Sequence, residues 1–130
     1  MASERIRESC QYGFVVDDAY PVACGHTLVI ARRHTPNFFD LTPEEIVAVM
    51  GLLRSARERI DRSLRPGGYN VGINLGETAG QTVLHVHIHL IPRYAGDSPD
   101  PRGGVRNVIP GKGYQRVCNE SGGKPWVIGH

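Results

Sequence analysis

The sequence lacks the features that mark membrane, disulfide-rich and secreted proteins. Its 130 residues include only three cysteines, Cys10, Cys24 and Cys118, and no two of them form a Cys-x-x-Cys pair. An odd number of scattered cysteines, behind a charged N-terminus unlike a secretion signal, predicts reduced thiols in the cytoplasm. No apolar stretch approaches the ~18 residues of a membrane span. We therefore expect a cytoplasmic protein without a membrane partner.

An excess of charge of one sign is also missing. Lys and Arg number 15 against 13 Asp and Glu, which gives a formal net charge of +2. Arg32-Arg33 is the only basic doublet, so the sequence has no basic track of the kind that nucleic-acid surfaces carry. We expect no nucleic-acid partner, whereas a small anionic ligand is compatible with this balance.

Internal repeats and low-complexity segments are absent, and the length fits one domain better than two. We expect a single domain over residues 1–130, with its core at about residues 12–97. Prolines and glycines are dense from Gly96 onward, which predicts a loop-rich C-terminal tail over residues 98–130. Trp126 in this tail fits either a packing anchor or a contact with a partner's site.

The clearest helix signal begins at Thr42. Thr42-Pro43-Glu44-Glu45 has the form of a capping box with proline at the first helical position. Leu41 and Ile46 have the spacing of a hydrophobic staple, and Pro66-Gly67-Gly68 ends the pattern. The helical period predicts a core-facing set made of Ile46, Val49, Met50, Leu53, Ile60 and Leu64.

Four segments predict strands. Residues 12–17 and 26–32 flank a connection with Pro21 and Gly25 and form a predicted antiparallel pair. Residues 69–75 alternate, with Val71, Ile73 and Leu75 on one face, and residues 83–91 are the strongest strand. The pattern predicts an α+β domain in which a small antiparallel sheet packs a helix on one face.

Three histidines concentrate in the last of these strands. Side chains alternate across a strand, so His85, His87 and His89 share one face at steps of ~6.6 Å. The other face, which we expect to anchor the strand to the core, holds Leu84, Val86, Ile88 and Leu90. A glycine-bounded loop, Gly76 to Gln81, enters the strand and could supply backbone N–H groups to an anion.

This histidine cluster allows three interpretations. The three side chains could be ordinary polar residues of an exposed strand. Two imidazoles at i and i+2 could share a zinc ion, with further ligands from His26, His34, Asp17 or Asp18. We favour nucleophilic catalysis, because imidazole has a free nitrogen near neutral pH and neighbouring histidines can assist the leaving group.

The segment from Gly80 to Arg93 resembles the signature of the histidine-triad superfamily of nucleotide hydrolases and transferases, His-φ-His-φ-His-φ-φ with φ apolar. The resemblance covers roughly residues 12–97. Within the superfamily, the sequence is similar to bacterial dinucleoside polyphosphate hydrolases. It implies a five-stranded antiparallel sheet with one long and one short helix. It also implies a homodimer in which two sheets join into a continuous ten-stranded sheet.

The resemblance also implies roles for individual residues. His87 would attack the α-phosphorus, His89 would contact phosphate and help the leaving group, and the backbone carbonyl of His85 would orient His87. His26 would lie behind the triad. The implied nucleotide contacts are Asp18 to the ribose, Val16 near the base, and Asn74, Gly80, Gln81 and Thr82 around the phosphate. Without the resemblance, Asp18, Asn74, His26 and Thr82 would have ordinary structural explanations.

Two departures from the family pattern refine the expectation. Some bacterial members hold a structural zinc through a Cys-x-x-Cys pair and two histidines. His34 and His85 could fill the histidine positions, but Cys10 has no partner cysteine, so we expect no metal site and no required cofactor. The transferase branch has glutamine at the third histidine, so His89 favours hydrolysis.

We therefore expect a nucleotide hydrolase that forms a covalent nucleotidyl-histidine and releases a nucleoside monophosphate such as AMP. Purine nucleotides, and dinucleoside polyphosphates in particular, are the expected substrates, accompanied by a divalent cation such as Mg²⁺. A purine nucleoside phosphoramidase and a purine-nucleotide-binding regulatory module with weak catalysis are the alternatives. Four basic residues could meet a longer phosphate chain or be ordinary surface charges: Arg93, Arg102, Arg106 and Lys112.

Overall fold

The computed structural model describes residues 5–113, so Cys118 and Trp126 lie outside the described residues. The chain divides into two compact units, Met1–Asp97 and Ser98–His130. The described part of the first unit holds a sheet and a long helix, and that of the second holds the short 3-10 helix Gly104–Val108. No helix in the described range is both long enough and apolar enough to span a bilayer.

A five-stranded antiparallel sheet forms the centre of the first unit. Its strands are β1 (Ile6–Cys10), β2 (Gly13–Asp17), β3 (Thr27–Ala31), β4 (Gly68–Gly72) and β5 (His87–Arg93), in the order β1-β2-β3-β5-β4. The α+β fold is confirmed, as is the predicted pairing of β2 with β3. The edge strand β1 was not predicted, because its charged residues, Arg7 and Glu8, are adjacent and none of its residues is buried.

The long helix α1 (Pro43–Ser63) begins as its capping box predicts. The Thr42 hydroxyl accepts the Glu45 N–H at 3.2 Å, and the Glu45 carboxylate accepts the Thr42 N–H at 2.9 Å. The backbone N–H groups of Thr42 and Glu45, which have no carbonyl partner within the helix, are thereby hydrogen-bonded. The shorter helical segments in the described residues of this unit are the 3-10 helices Phe38–Asp40 and Glu77–Ala79.

The predicted core face of α1 is partly wrong. Val49 and Ile60 are buried as expected, and Ile46 and Leu53 pack against the core, but Met50 and Leu64 are 37% and 38% exposed. The buried stripe instead includes Leu52 and Ala56. Met50 lies one residue off this stripe, and Leu64 follows the last helical residue.

Two predicted strands have different bounds in the structure. The strand predicted over residues 69–75 ends at Gly72, and Val71 is exposed because β4 lies at the end of the sheet. The strand predicted over residues 83–91 begins only at His87, and Leu84 is 67% exposed instead of buried. Just before His87, the Val86 carbonyl accepts the Ala31 N–H, whereas the Val86 N–H bonds to the Thr35 carbonyl, which lies beyond the end of β3.

The two faces of β5 have different environments, as alternation predicts. Val86, Ile88 and Leu90 are buried in the apolar core, which also contains residues of β2, β3 and α1. His87 and His89 are half-buried on the opposite face. Register places His87 beside Ile30 and His89 beside Leu28, so both histidines project from a strand that neighbours hold on each side.

Candidate active site

The ring of His87 has a fixed orientation. Its Nδ1 lies 2.8 Å from the backbone carbonyl oxygen of His85. A carbonyl can only accept a hydrogen bond, so in the neutral ring Nδ1 carries the proton and Nε2 keeps its lone pair. This contact has the form that the family resemblance implies, and it leaves Nε2 of His87 chemically suited to attack an electrophile.

His85 is itself held in place on two sides. Its Nε2 donates a short hydrogen bond to the Ala31 carbonyl, and its Nδ1 lies 3.2 Å from Nδ1 of His34. Because Nε2 of His85 donates, its Nδ1 accepts from His34. Both ring nitrogens of His85 therefore face protein groups, which fits a supporting role better than a role as nucleophile.

A chain of hydrogen bonds behind the triad fixes the tautomer of His89. The Val22 backbone N–H donates to Nδ1 of His26 at 3.1 Å, so the proton of neutral His26 is on Nε2. That nitrogen lies 3.0 Å from Nδ1 of His89, which accepts. The remaining proton of His89 is then on Nε2. We call this chain, from Val22 through His26 to His89, the histidine relay.

Burial keeps both imidazoles of the relay uncharged. His26 is only 4% exposed, and burial lowers its pKa while the Asp18 carboxylate opposes that shift. Burial also lowers the pKa of His89, the neighbouring His87 and His26 lower it further, and Asp18 again opposes. At neutral pH, His89 therefore presents a neutral N–H donor, not an imidazolium.

Asp18 lies beside the relay. One carboxylate oxygen accepts the Tyr20 N–H at 2.8 Å, and the other lies 3.3 Å from Nε2 of His26 and 4.0 Å from Nδ1 of His89. The connection that holds these residues, 18–26, is closed by the Asp18 N–H bonding to the His26 carbonyl. The carboxylate of Asp18 is thus oriented toward the histidines. The contact of this carboxylate with a ribose stays a prediction.

The ligand atoms of Asp18, His26 and His89 all lie within 4.8 Å of one another, a spacing that a metal ion could use. Coordination through His26 would need a lone pair on Nε2. The Val22 N–H already occupies the lone pair of Nδ1 and so leaves the proton on Nε2. The hydrogen-bond pattern therefore favours a relay over a metal centre at this cluster.

The loop that precedes the triad depends on two glycines and one buried amide. Gly76 and Gly80 both have φ of 91°, which favours glycine. The Gln81 side chain accepts the Gly76 N–H at 2.8 Å and donates to the Pro36 and Val83 carbonyls. The amide of Gln81 thus holds the loop by bonding to the backbone of Gly76, Pro36 and Val83, a role that the sequence did not predict.

Thr82 and Asn74 are both exposed, and neither side chain forms a hydrogen bond within residues 5–113. The register of β4 with β5 pairs Gly72 with His89, and its continuation would bring Asn74 level with His87. Val16 is fully buried in the same row of the sheet as Leu28 and His89. The predicted nucleotide contacts of these residues stay predictions.

The arginines considered for a phosphate chain already bond to protein groups. Arg93 donates to both carboxylate oxygens of Asp97 at 2.8 Å and to Asn70 at 2.7 Å. In the second unit, Arg102 bonds to Asp100 and Arg106 bonds to the Gly113 carbonyl. These contacts favour structural roles for the three arginines, while Lys112 is exposed.

The comparison with known families settles the origin of this arrangement. The profile of the HIT domain, named for its histidine triad, matches residues 8–96. The chain belongs to the HIT domain family. The resemblance inferred from the sequence is confirmed, and the matched residues of the HIT domain include the whole sheet from Glu8, helix α1 and all three histidines of the triad.

Two relatives of this HIT domain bear the names of enzymes that act on dinucleoside polyphosphates. The chain is 42% identical over 77 residues to the asymmetrical bis(5'-nucleosyl)-tetraphosphatase of Schizosaccharomyces pombe, covering 59% of this chain and 42% of that protein. It is 37% identical over 86 residues to the AP-4-A phosphorylase of Mycobacterium tuberculosis, covering 65% and 44%. The chain spans about half the length of the curated relatives that it matches.

Two solved structures give the same result for the fold. The diadenosine triphosphate hydrolase of Plasmodium falciparum superposes with a TM-score of 0.72 at 28% sequence identity, over 75% of this chain and 66% of that one. The NitFhit protein of Caenorhabditis elegans superposes with a TM-score of 0.73 at 33% identity, over 77% and 24%. The HIT fold of this chain therefore rests on sequence and on structure.

Proposed function

We propose that this HIT domain hydrolyses nucleotides by transferring a nucleoside monophosphate group first to His87 and then to water. Nε2 of His87 attacks the α-phosphorus, an N–P bond forms, and the bond from phosphorus to the bridging oxygen breaks. Water then attacks the same phosphorus, and the N–P bond breaks to release the nucleoside monophosphate. The hydrogen bond from His87 to the His85 carbonyl carries this proposal, because it leaves the lone pair on Nε2.

The relay supports a phosphate leaving group. His89 presents a neutral Nε2–H, which can donate a hydrogen bond to a departing oxygen without giving up its proton. A phosphate chain departs as a stable anion, so such a hydrogen bond is sufficient. An amine must gain a proton as it leaves, which a neutral imidazole supplies less readily. We therefore propose dinucleoside polyphosphates as substrates and phosphoramidates as the weaker alternative.

Inorganic phosphate is a second candidate acceptor for the nucleotidyl group. One relative is named a tetraphosphatase and the other a phosphorylase, so relatives of similar identity differ in acceptor. Transfer from histidine to water yields a nucleoside monophosphate, whereas transfer to phosphate yields a nucleoside diphosphate. We favour water as the acceptor because the third residue of the triad is a histidine, His89, and not the glutamine of the transferase branch.

A substrate panel tests these assignments. Diadenosine triphosphate, diadenosine tetraphosphate and adenosine phosphoramidate are incubated with the full chain, with and without Mg²⁺ and inorganic phosphate, and the products are separated by chromatography. We expect AMP and ATP from the tetraphosphate, unaffected by added phosphate. ADP that appears only with phosphate would show a phosphorylase, and faster turnover of the phosphoramidate would overturn the substrate class. Binding without turnover would favour the regulatory module.

We also propose that the protein forms a homodimer in the cytoplasm and that its substrate carries a bound Mg²⁺ ion. β4 is the last strand of the sheet, and its Val71 side chain is exposed, so a second copy could pair there and extend the sheet to ten strands. Mg²⁺ would accompany the polyphosphate as part of the substrate. In this proposal the protein needs no resident cofactor.

A further inference from the structure

The residues between β3 and the 3-10 helix Phe38–Asp40 contact the histidine segment repeatedly. We call residues 33–37 the brace. Nδ1 of His34 lies 3.2 Å from Nδ1 of His85, and the Pro36 carbonyl accepts from the Gln81 amide at 2.9 Å. Between these contacts, the Thr35 carbonyl accepts the Val86 N–H at 2.8 Å. The brace therefore holds both the loop before the triad and the start of the triad.

The bond from Val86 to Thr35 has a direct consequence for His87. The Val86 N–H and the His85 carbonyl belong to the same peptide group, which is planar and trans, so they point in opposite directions. When the Thr35 carbonyl holds the N–H, it also directs the His85 carbonyl. That carbonyl accepts from Nδ1 of His87 at 2.8 Å. The brace thus acts on the tautomer of His87 without touching its ring.

An ion pair anchors the brace to helix α1. Nε of Arg33 lies 2.9 Å and 3.0 Å from the two carboxylate oxygens of Glu45. The Glu45 residue is only 5% exposed, and its carboxylate also accepts the Thr42 N–H of the capping box. A buried carboxylate is costly unless it is paired, so this placement indicates a specific role. The hydrogen bond from Thr42, reinforced by Arg33, lowers the pKa of Glu45.

We propose that the Arg33–Glu45 ion pair positions the nucleophile: it holds the brace so that the Thr35 carbonyl keeps the His85–Val86 peptide directed at Nδ1 of His87. Neither residue touches the triad, and both are positioning residues. Helix α1 is a suitable anchor because its buried stripe packs against the sheet that carries His87. The inference rests on the proposed function only in taking His87 as the nucleophile.

Two variants of the full chain test this role. Glu45→Gln keeps a side chain that can complete the capping box but loses the charge that pairs with Arg33. Arg33→Ala removes the other partner. In both we expect kcat to fall about tenfold while KM stays within about twofold, because misplacing a reactive group mainly affects the chemical step. Arg33→Lys should recover part of the loss.

Nitrogen NMR of the His87 ring and hydrogen exchange of the Val86 amide provide readouts that do not need turnover. The native chain should show the proton of His87 on Nδ1 and slow exchange at Val86. Both variants should show a mixture of tautomers and faster exchange. Arg57→Ala is the matched control, because it removes an exposed ion pair with Asp61 on the same helix and should change none of these signals.

The outcomes separate this inference from the proposed function. Unchanged His87 tautomer and Val86 exchange in both variants would overturn the positioning role, even if activity fell. A native chain that turns over no nucleotide, combined with variants that alter both signals, would overturn the proposed function and support the positioning role.

Discussion

Replacing His87 with alanine is expected to lower kcat for release of nucleoside monophosphate by at least about 10³-fold. The variant lacks the only ring in the triad whose Nε2 lone pair is set free by a backbone acceptor at Nδ1. Nucleotide affinity should change little, because the half-buried His87 ring lies on the face of β5 opposite the apolar core and its loss leaves the other proposed nucleotide contacts in place. Steady-state kinetics and equilibrium binding measure the two quantities separately.

The matched control for this variant is Arg54→Ala, a change on the exposed face of helix α1. It should retain native kcat, affinity and thermal unfolding. If His87→Ala kept turnover within about tenfold of the native chain, the assignment of His87 as nucleophile would be wrong. A loss of thermal stability in that variant alone would mean that the ring has a structural role that its contacts do not indicate.

The second large effect is expected for His26→Ala, which interrupts the relay. Without His26, no neighbour donates to Nδ1 of His89, and its Nε2–H is no longer fixed toward the substrate. Loss of one positioned donor to a leaving group costs about 10²-fold in kcat. We expect a decrease of that size for diadenosine tetraphosphate, measured by release of AMP.

His26→Gln provides the comparison, because the amide nitrogen of glutamine can replace Nε2 of the imidazole as a donor to His89. It should recover much of the lost rate. A substrate whose leaving group is much more acidic than ATP, such as the 2,4-dinitrophenyl ester of AMP, should be affected far less by His26→Ala. Equal losses for both substrates would contradict the relay and would indicate that His26 acts on folding or on binding.

Local signals explain what the sequence predicted correctly. Alternation along a strand places His87 and His89 on one face, because it depends only on the period of the backbone. The capping box at Thr42 was also predictable, since both of its partners lie within four residues. The sequence therefore predicted four of the five strands, helix α1 and the shared face of His87 and His89, whereas His85 precedes the strand in which it was predicted. The family resemblance singled out His87.

Long-range backbone contacts explain what it missed. The Val22 N–H that fixes His26, and the Thr35 carbonyl that holds Val86, are main-chain groups that any residue type could supply. Glu45 carried a capping signal, but its second partner, Arg33, lies 12 positions earlier and depends on the fold. The edge strand β1 was missed because its exposed charged residues lack an apolar alternation.

The most direct test of the account is to look for the covalent intermediate. The full chain is mixed with diadenosine tetraphosphate, quenched in alkali within one turnover, digested and analysed by mass spectrometry. We expect the peptide containing residues 85–89 to gain the mass of one nucleoside monophosphate, assigned to His87 by fragmentation and absent from His87→Ala. Turnover without any modified peptide, or a nucleotide attached to His85 or His89, would contradict this expectation.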